Sequence, residues 1–296
     1  MNCFPEGVHT VLVTPFDNEG SIDYDSLARL IDIQLYSSIS GLVLLGTTSE
    51  SPTLSIAERE KIVLFVWDRV KGQKFITVGI GGNNTREVVE FGRCVHDFCN
   101  GFMVTVPYYN KPSQDGIFAH FKTIADSYPD RPIMMYNIPS RTGVNMTADT
   151  TTELFKNCNN IIAIKEASGD INQVSDVARR SAIQVFAGDD SMLIPTIAVG
   201  GVGIISVASN LYPSLVDSTF CLSMNSYYPD ARMTYAKYAE LVKLLFVATN
   251  PVPLKLFLNE VGTIATSEVR LPLVKPHEWH SLLERFREWA ATEVNV

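Results

Sequence analysis

The chain of 296 residues is 46% hydrophobic and 19% charged, and its formal net charge is −8 at pH 7. This hydrophobic content is ample for a sizeable core and argues against intrinsic disorder, and the length allows one large α/β domain with an appendage or two medium domains. The acidic balance and the lack of any run of Lys or Arg exclude nucleic acid and anionic membranes as expected partners.

The sequence also indicates a compartment. No apolar stretch reaches the roughly 20 residues that a membrane-spanning helix needs. A strand-like segment begins a few residues after Met1, which leaves no space for a charged leader and an apolar signal core. The 5 cysteines are odd in number and include no C-x-x-C pair, so we expect free thiols that are mostly buried, in a reducing compartment. We therefore expect a cytoplasmic protein.

Short apolar runs alternate with stretches of helical period along most of the chain. The apolar runs predict strands over 8–14, 41–46, 75–80, 101–106, 132–137, 161–165, 184–188 and 202–207. The intervening stretches predict helices over 24–37, 55–70, 85–98, 113–127, 147–156, 171–182 and 191–199. In the second helix, Ser55 and Glu58 form a capping box. Such a repeat predicts a closed (β/α)8 barrel, and no G-x-G-x-x-G follows the first strand, as it does in dinucleotide-binding sheets.

The strand pattern stops after residue 207. Helical signals follow over 211–224, 228–248 and 277–292, and prolines at 251, 253, 272 and 276 interrupt them. We therefore expect two domains, a (β/α)8 catalytic barrel over 1–225 and a helical domain over 226–296.

In a (β/α)8 barrel the chemistry lies at the rim where strands end and the following loops begin. The predicted strand ends carry hydroxyls, phenols, an arginine and a lysine, and the opposite rim shows nothing comparable. These residues are Thr14, Thr47, Thr48, Tyr108, Tyr109, Tyr136, Arg141, Lys165 and Ser206. This asymmetry predicts a functional site at the carboxyl-terminal rim.

Lys165 closes the apolar run 161–164, an unusual place for a residue type that is almost never fully buried. Desolvation and neighbouring cations lower the pKa of a buried lysine, and its neutral amine can then attack a carbonyl carbon to form a Schiff base. For one such lysine taken alone, an ion pair with a carboxylate such as Glu166 is the ordinary alternative. The hydroxyls and phenols expected around Lys165 favour the catalytic interpretation.

Three other rim features suit a keto-acid substrate, although each has an ordinary structural alternative. The backbone N–H groups of Gly46–Thr48 can hold a carboxylate, but this segment alone is typical of a turn. A Tyr–Thr–Tyr chain can move protons beside a Schiff base, whereas a lone Tyr more often packs with its hydroxyl bonded. Arg141 can clamp a second carboxylate or form a surface salt bridge.

The sequence predicts no metal and no cofactor. The 5 histidines show no ligand spacing with carboxylates or cysteines. No elbow motif for a nucleophilic Ser or Cys is present either.

Five motifs in order along the chain resemble the dihydrodipicolinate synthase family, which belongs with N-acetylneuraminate lyase to the pyruvate-dependent class I lyase superfamily. The motifs are Gly46–Ser51 (GTTSES), Pro107–Pro112 (PYYNKP), Tyr136–Gly143 (YNIPSRTG), Ile164–Gly169 (IKEASG) and Gly188–Asp190 (GDD). The similarity continues through 203–206, 250–255 and 270–273, so it covers essentially the whole chain. It implies a TIM barrel with a C-terminal helical domain, usually in a homotetramer, although the sequence does not distinguish a tetramer from a dimer.

The resemblance implies that pyruvate condenses with aspartate-4-semialdehyde on this chain, in diaminopimelate and lysine synthesis. Lys165 then forms the Schiff base with pyruvate. Tyr136 is the proton donor and acceptor, linked through Thr47 to Tyr109, which in the family reaches in from the neighbouring subunit.

The resemblance also implies the binding residues. Thr48 and Thr47 hold the pyruvate carboxylate, and Arg141 binds the carboxylate of the semialdehyde. The backbones of Ile205 and Gly188 line the pocket.

Two features depart from the family pattern. Ser49 stands where the family usually has Gly, and a positive φ at this position would strain a serine by about 1 kcal/mol. Ile56 and Arg59 stand where enzymes inhibited by lysine often carry His, which makes feedback inhibition doubtful. Other residues do match the family's lysine feedback site: Ser51, Asn83, Glu87 and Tyr108.

Two alternative functions stay open at the level of the sequence. An N-acetylneuraminate lyase-like or 2-keto-3-deoxy sugar acid aldolase is disfavoured by Arg141 and the paired threonines, because a polyol substrate needs other polar groups there. A catalytically silent barrel with a binding or regulatory role is disfavoured by the joint presence of Lys165, Tyr136 and Tyr109.

Overall fold

The eight predicted strands form one closed parallel barrel in the computed structural model, which describes residues 3–293. Each strand pairs with the next, and the last returns to pair with the first. The strands are β1 (Gly7–Val11), β2 (Gly41–Leu44), β3 (Phe75–Gly79), β4 (Gly101–Thr105), β5 (Ile133–Asn137), β6 (Ile161–Glu166), β7 (Gln184–Ala187) and β8 (Gly203–Ser206). The predicted barrel is therefore confirmed, although β1 ends earlier than the run 8–14 indicated.

Helices follow the strands and cover the outside of the barrel. They are α1 (Tyr24–Leu35), α2 (Ile56–Val70), α3 (Thr85–Val95), α4 (Gln114–Ser127), α5 (Pro139–Thr142), α6 (Ala148–Asn157), α7 (Ile171–Arg180), α8 (Leu193–Ala198) and α9 (Pro213–Met224). The capping box of α2 is confirmed: Ser55 N donates to Glu58 Oε2 at 2.8 Å, and Glu58 N donates to Ser55 Oγ at 3.3 Å. This box defines where the loop after β2 ends and α2 begins.

The C-terminal part of the chain is helical, as predicted, but its helices differ in number and bounds. They are α10 (Tyr228–Ala236), α11 (Ala239–Leu245), α12 (Val252–Glu260) and α13 (Trp279–Glu293). The predicted helix 228–248 is two helices. No helix was predicted over α12, because Pro251 and Pro253 were interpreted as breakers. They lie instead at the N-cap and in the first turn, where a missing N–H breaks no helical hydrogen bond. The domain boundary at 226 stays a prediction.

Two further expectations concern the whole chain. Within residues 3–293, no helix is both long and apolar enough to cross a membrane. The cysteines are free thiols, but only Cys99 and Cys158 are buried, so the expectation that most of them are buried was wrong. The exposed three lie on helix surfaces or near the start of the chain, where the barrel core does not reach.

Candidate active site

Lys165 and Tyr136 form the centre of the candidate site. They lie at paired positions near the ends of β6 and β5, and both are almost fully buried. Paired residues of parallel strands project to the same face, and Lys165 Nζ accordingly lies 4.2 Å from the centroid of the Tyr136 ring. The barrel thus brings together the amine and the phenol that the sequence predicted as partners.

The ordinary alternative for Lys165, an ion pair with Glu166, is not what the structure contains. Successive side chains on a strand point to opposite faces, so Glu166 faces the outer helices. Its carboxylate accepts hydrogen bonds from Ser168 N at 2.8 Å, Gln173 Nε2 at 3.0 Å and Asn137 Nδ2 at 3.1 Å. These contacts leave the Lys165 amine without its expected carboxylate partner.

A short loop after β2, residues Thr47–Glu50, carries the two threonines, and we call it the threonine loop. Thr47–Ser49 form a single 3-10 turn. Thr48 is 1% exposed, and its hydroxyl accepts a hydrogen bond from Asn250 Nδ2 at 2.9 Å. Asn250 immediately precedes Pro251 and α12, so the C-terminal part of the chain contacts the threonine loop directly.

Ser49 is not strained. Positive φ values occur instead at Leu45 (55°) and Glu50 (52°), on either side of the turn. The Ser49 hydroxyl donates to Leu12 O at 2.6 Å, and Thr14 Oγ1 donates to Ser49 O at 2.9 Å. The strain considered for a serine at this position therefore does not arise, and its hydroxyl adds a bond to the residue that follows β1.

The other predicted binding residues, Gly188, Ile205 and Arg141, differ in position and burial. Gly188 follows β7, where an added Cβ would come within 2.4 Å of Ala167 Cβ, so only glycine fits beside the end of β6. Ile205 is fully buried in β8. Arg141 lies exposed on the single-turn helix α5, which ends at Gly143 with a φ of 73°.

Tyr109, another predicted catalytic residue, lies outside the buried pair of Lys165 and Tyr136 in the single chain. It is 88% exposed and has a φ of 70°. Its N–H donates to Thr142 O at 3.4 Å, which ties it to the end of α5. An exposed tyrosine held in this unfavourable conformation is suited to contact another molecule.

A cavity of about 460 Å³ opens at the rim between the barrel and loops of the C-terminal part of the chain. Thr47 and Arg141 line it, whereas Lys165, Tyr136 and Thr48 do not. Its wall also includes residues compared above with a feedback site: Ser51, Arg59, Asn83, Glu87 and Tyr108. Ile56 lies outside this wall and is 59% exposed.

Arg59 is already held by its own chain. Its guanidinium donates to Ser51 O at 2.8 Å and to Leu54 O at 3.1 Å, and burial lowers its pKa. The cavity therefore offers a fixed cation at Arg59, where enzymes inhibited by lysine often carry His.

One buried ion pair was missed from the sequence. Lys255 Nζ lies 2.5 Å from Glu50 Oε1, and both side chains are inaccessible to solvent or nearly so. The available signal was a lone lysine in the apolar run Val252–Leu258. Within residues 3–293, no cluster of His, Cys, Asp and Glu suits a metal ion.

Chemically, the rim offers a buried amine with a phenol beside it and, at the cavity, a hydroxyl-bearing loop and a guanidinium. An amine in this setting can attack a keto carbon, and the loop donors and the guanidinium can each hold a carboxylate. The arrangement suits a reaction that joins two carboxylate-bearing carbonyl compounds.

Comparison with known proteins identifies the family that the sequence motifs resemble. Residues 4–283 match the profile of the dihydrodipicolinate synthetase family. A 4-hydroxy-tetrahydrodipicolinate synthase from Azobacteroides pseudotrichonymphae is 44% identical over 276 residues, which cover 90% of this chain and 91% of the relative. The crystal structure of dihydrodipicolinate synthase from Thermotoga maritima superposes with a TM-score of 0.94 at 36% identity, covering 99% of this chain and 100% of the other. A structure described as a monomeric dihydrodipicolinate synthase variant has the same TM-score of 0.94 at 36% identity, covering 99% of this chain and 98% of the other.

Proposed function

The chain belongs to the dihydrodipicolinate synthetase family, and we propose from this that Lys165 carries the chemistry of a 4-hydroxy-tetrahydrodipicolinate synthase. The enzyme is a lyase that condenses pyruvate with aspartate-4-semialdehyde in diaminopimelate and lysine biosynthesis. The observation that carries the role of Lys165 is its amine, buried 4.2 Å from the Tyr136 ring while the neighbouring carboxylate of Glu166 bonds elsewhere.

The first step is formation of a Schiff base. The Lys165 amine attacks the keto carbon of pyruvate, and the carbinolamine that results loses water to give the imine. Tyr136 donates and accepts the protons of this step, relayed through Thr47 to Tyr109 of a neighbouring subunit. The hydroxyls and N–H groups of Thr47 and Thr48 hold the pyruvate carboxylate, beside the backbones of Ile205 and Gly188.

The second step forms the carbon–carbon bond. Loss of a methyl proton converts the imine into an enamine, whose carbon attacks the aldehyde carbon of the semialdehyde. Arg141, at the cavity wall, binds the carboxylate of this second substrate. The amino group of the condensed product then attacks the imine carbon, so that the ring closes and the Lys165 amine is released.

Assembly and location are proposed on the same basis. Tyr109 is exposed in the single chain, which fits the family pattern of a tetramer, or at least a dimer, whose partner receives this ring. The free cysteines and the biosynthetic role suit the cytoplasm.

Trapping with borohydride tests the central proposal. Incubation with pyruvate and borohydride is expected to add one pyruvate-derived mass per chain, and peptide mapping is expected to place it on Lys165. Lys255 is the matched internal control, since it is also buried but bonded to Glu50. A Lys165→Ala variant that still traps pyruvate would refute the mechanism.

A panel of aldehydes with pyruvate as donor tests the second substrate. Aspartate-4-semialdehyde is expected to be consumed much faster than N-acetylmannosamine or simple sugar aldehydes. Equal turnover of N-acetylmannosamine would favour the sugar-acid aldolase instead.

A further inference from the structure

The buried ion pair between Glu50 and Lys255 joins the threonine loop to the middle of α12. The carboxylate and the ammonium group lie 2.5 Å apart, with the two side chains 1% and 0% exposed. Lys255 Nζ also donates to Glu268 O at 2.8 Å and lies 3.9 Å from the centroid of the Phe16 ring. The second oxygen of Glu50 accepts from Arg270 N at 2.9 Å. The two charges thus face each other, and the further contacts of each are made with other residues of this chain.

Neither charge is stable in this buried position without the other. Desolvating an ion costs far more than an ordinary contact regains, so removing one member of a buried pair leaves an unfavourable charge behind. The pKa of Lys255 shows this cost: burial lowers it to about 8, although Glu50 acts in the opposite direction. Lys255 can therefore lose its charge by releasing a proton. A buried carboxylate that loses its cation has to take up a proton or move toward water, and either change alters its contacts.

Glu50 lines the cavity that Thr47 also lines, so a displaced Glu50 carboxylate can reach solvent there. Glu50 has a φ of 52°, and its N–H donates to Thr47 O at 3.1 Å, so movement of Glu50 displaces the turn that holds the threonines. Asn250, two residues before α12, makes a second contact with this loop through its hydrogen bond to Thr48.

We propose that Glu50 and Lys255 are positioning residues for the keto-acid substrate. Their ion pair fixes the threonine loop so that its hydroxyls and backbone N–H groups converge on the substrate carboxylate. The C-terminal helices thereby act on substrate binding from outside the barrel. This inference rests on the proposed function for the identity of the substrate, but the fixing of the loop can be measured without it.

The test compares Lys255→Met, Glu50→Gln and the double variant with the wild type, in borohydride trapping over a range of pyruvate concentrations. In Lys255→Met, the pyruvate concentration for half-maximal trapping is expected to rise by at least about tenfold, while the rate at saturation changes little. Glu50→Gln is expected to have a smaller effect, because Lys255 can become neutral. The double variant, which buries no lone charge, is expected to recover most of the loss.

Lys74→Met is the matched control. Lys74 Nζ is partly buried and donates to Ser37 O at 2.7 Å and Ile39 O at 2.8 Å, just before β3 at the opposite rim. Its loss is expected to leave half-saturation by pyruvate unchanged. If Lys255→Met lowers thermal stability but binds pyruvate like the wild type, the pair only stabilises the fold and the inference is wrong. The inference would also be wrong if the double variant needed as much pyruvate for half-maximal trapping as Lys255→Met does. If Lys255→Met does not fold, the double variant is compared with the wild type instead, and a large loss of pyruvate binding in it would overturn the inference.

Amide hydrogen exchange of residues 47–50, measured without pyruvate, separates this inference from the proposed function. Exchange is expected to be faster in Lys255→Met than in Lys74→Met and the wild type. Unchanged exchange in this loop would refute the inference even if pyruvate is trapped normally. If the wild type failed to trap pyruvate, the proposed function would be refuted. The exchange rates would then still show whether the ion pair fixes the threonine loop.

Discussion

At the scale of single residues, alternation along a strand separates two roles in neighbouring positions. Lys165 and Tyr136 project to one face of the sheet, where the amine meets the phenol ring. Glu166 and Asn137, the next residues on the same two strands, project to the other face, where Asn137 Nδ2 donates to Glu166 and Gln173 Nε2 donates to Glu166 as well. The outer pair ties the ends of β5 and β6 together, so it also fixes the spacing of the inner pair.

Arg141 is the residue whose proposed role is most specific to the second substrate. Arg141→Ala is expected to leave pyruvate trapping on Lys165 intact, because in the proposed function the threonine loop holds pyruvate. It is expected to lower kcat/KM for aspartate-4-semialdehyde by about tenfold to hundredfold, the effect of losing a charged hydrogen bond. Steady-state kinetics and trapping on the same preparation measure both effects.

Arg86→Ala is the matched control for this prediction. Arg86 is an exposed arginine on α3 that is paired with Glu90 at 3.7 Å, and it does not line the cavity. Its removal is expected to change neither measurement. Loss of trapping in Arg141→Ala would show instead that this arginine acts on the first substrate.

At the scale of elements, buried histidines make helix and strand packing sensitive to acid. His120 on α4 bonds through Nδ1 to Thr85 Oγ1 on α3 at 2.9 Å, and burial lowers its pKa to about 4. His9 in β1 is fully buried, and burial lowers its pKa to about 4 as well. Both rings are neutral in the folded protein at pH values where the unfolded chain, with a histidine pKa near 6.5, already binds protons.

The free energy of unfolding is therefore expected to fall as the pH drops from about 6.5 to 4. The stability that each neutral histidine contributes is complete above its pKa in the unfolded chain and is lost as the pH falls to its pKa in the folded protein. This change amounts to roughly 3 kcal/mol per group. Urea denaturation at a series of pH values measures this slope. His120→Gln is expected to make the slope shallower, and the same change at exposed His277 is expected to leave it as it is. An unaltered slope in His120→Gln would contradict the assignment.

At the scale of the whole molecule, the proposed role of Tyr109 implies that a single chain holds an incomplete site. Its amine, phenol and threonine loop are assembled by the barrel and the C-terminal helices, but Tyr109 is 88% exposed. If this ring completes the site of a partner, two inactive chains can complement each other. Mixing Tyr109→Phe with Lys165→Ala yields hybrid dimers in which one site has both residues.

Refolding an equal mixture of these two variants is expected to restore about a quarter of wild-type activity, because about half of randomly formed dimers are hybrids with one intact site. Mixing Lys165→Ala with Lys165→Arg is the control and is expected to restore none. An inactive mixture of Tyr109→Phe and Lys165→Ala that nevertheless forms hybrids would place Tyr109 in the site of its own chain.

The sequence by itself determined the barrel and the rim that carries the chemistry. Apolar runs of strand length, helical periods between them and the Ser55 capping box are local patterns, and each acts over only a few residues. Lys165 was recognisable for the same reason, since a lysine that closes an apolar run is unusual in its immediate neighbourhood. Where such a local signal was ambiguous, as at Pro251 and Pro253, the helix was missed.

Only the tertiary structure decided which distant residues share the site. Thr48 and Asn250 are 202 positions apart in the chain, and the partner of Lys255 is a glutamate in the loop after β2. No local pattern predicts these contacts, because burial and charge pairing depend on how the C-terminal helices pack against the barrel rim. The structure also shows that Ser49 is free of strain, since the positive φ values occur at Leu45 and Glu50 and its hydroxyl bonds to Leu12 O just after β1.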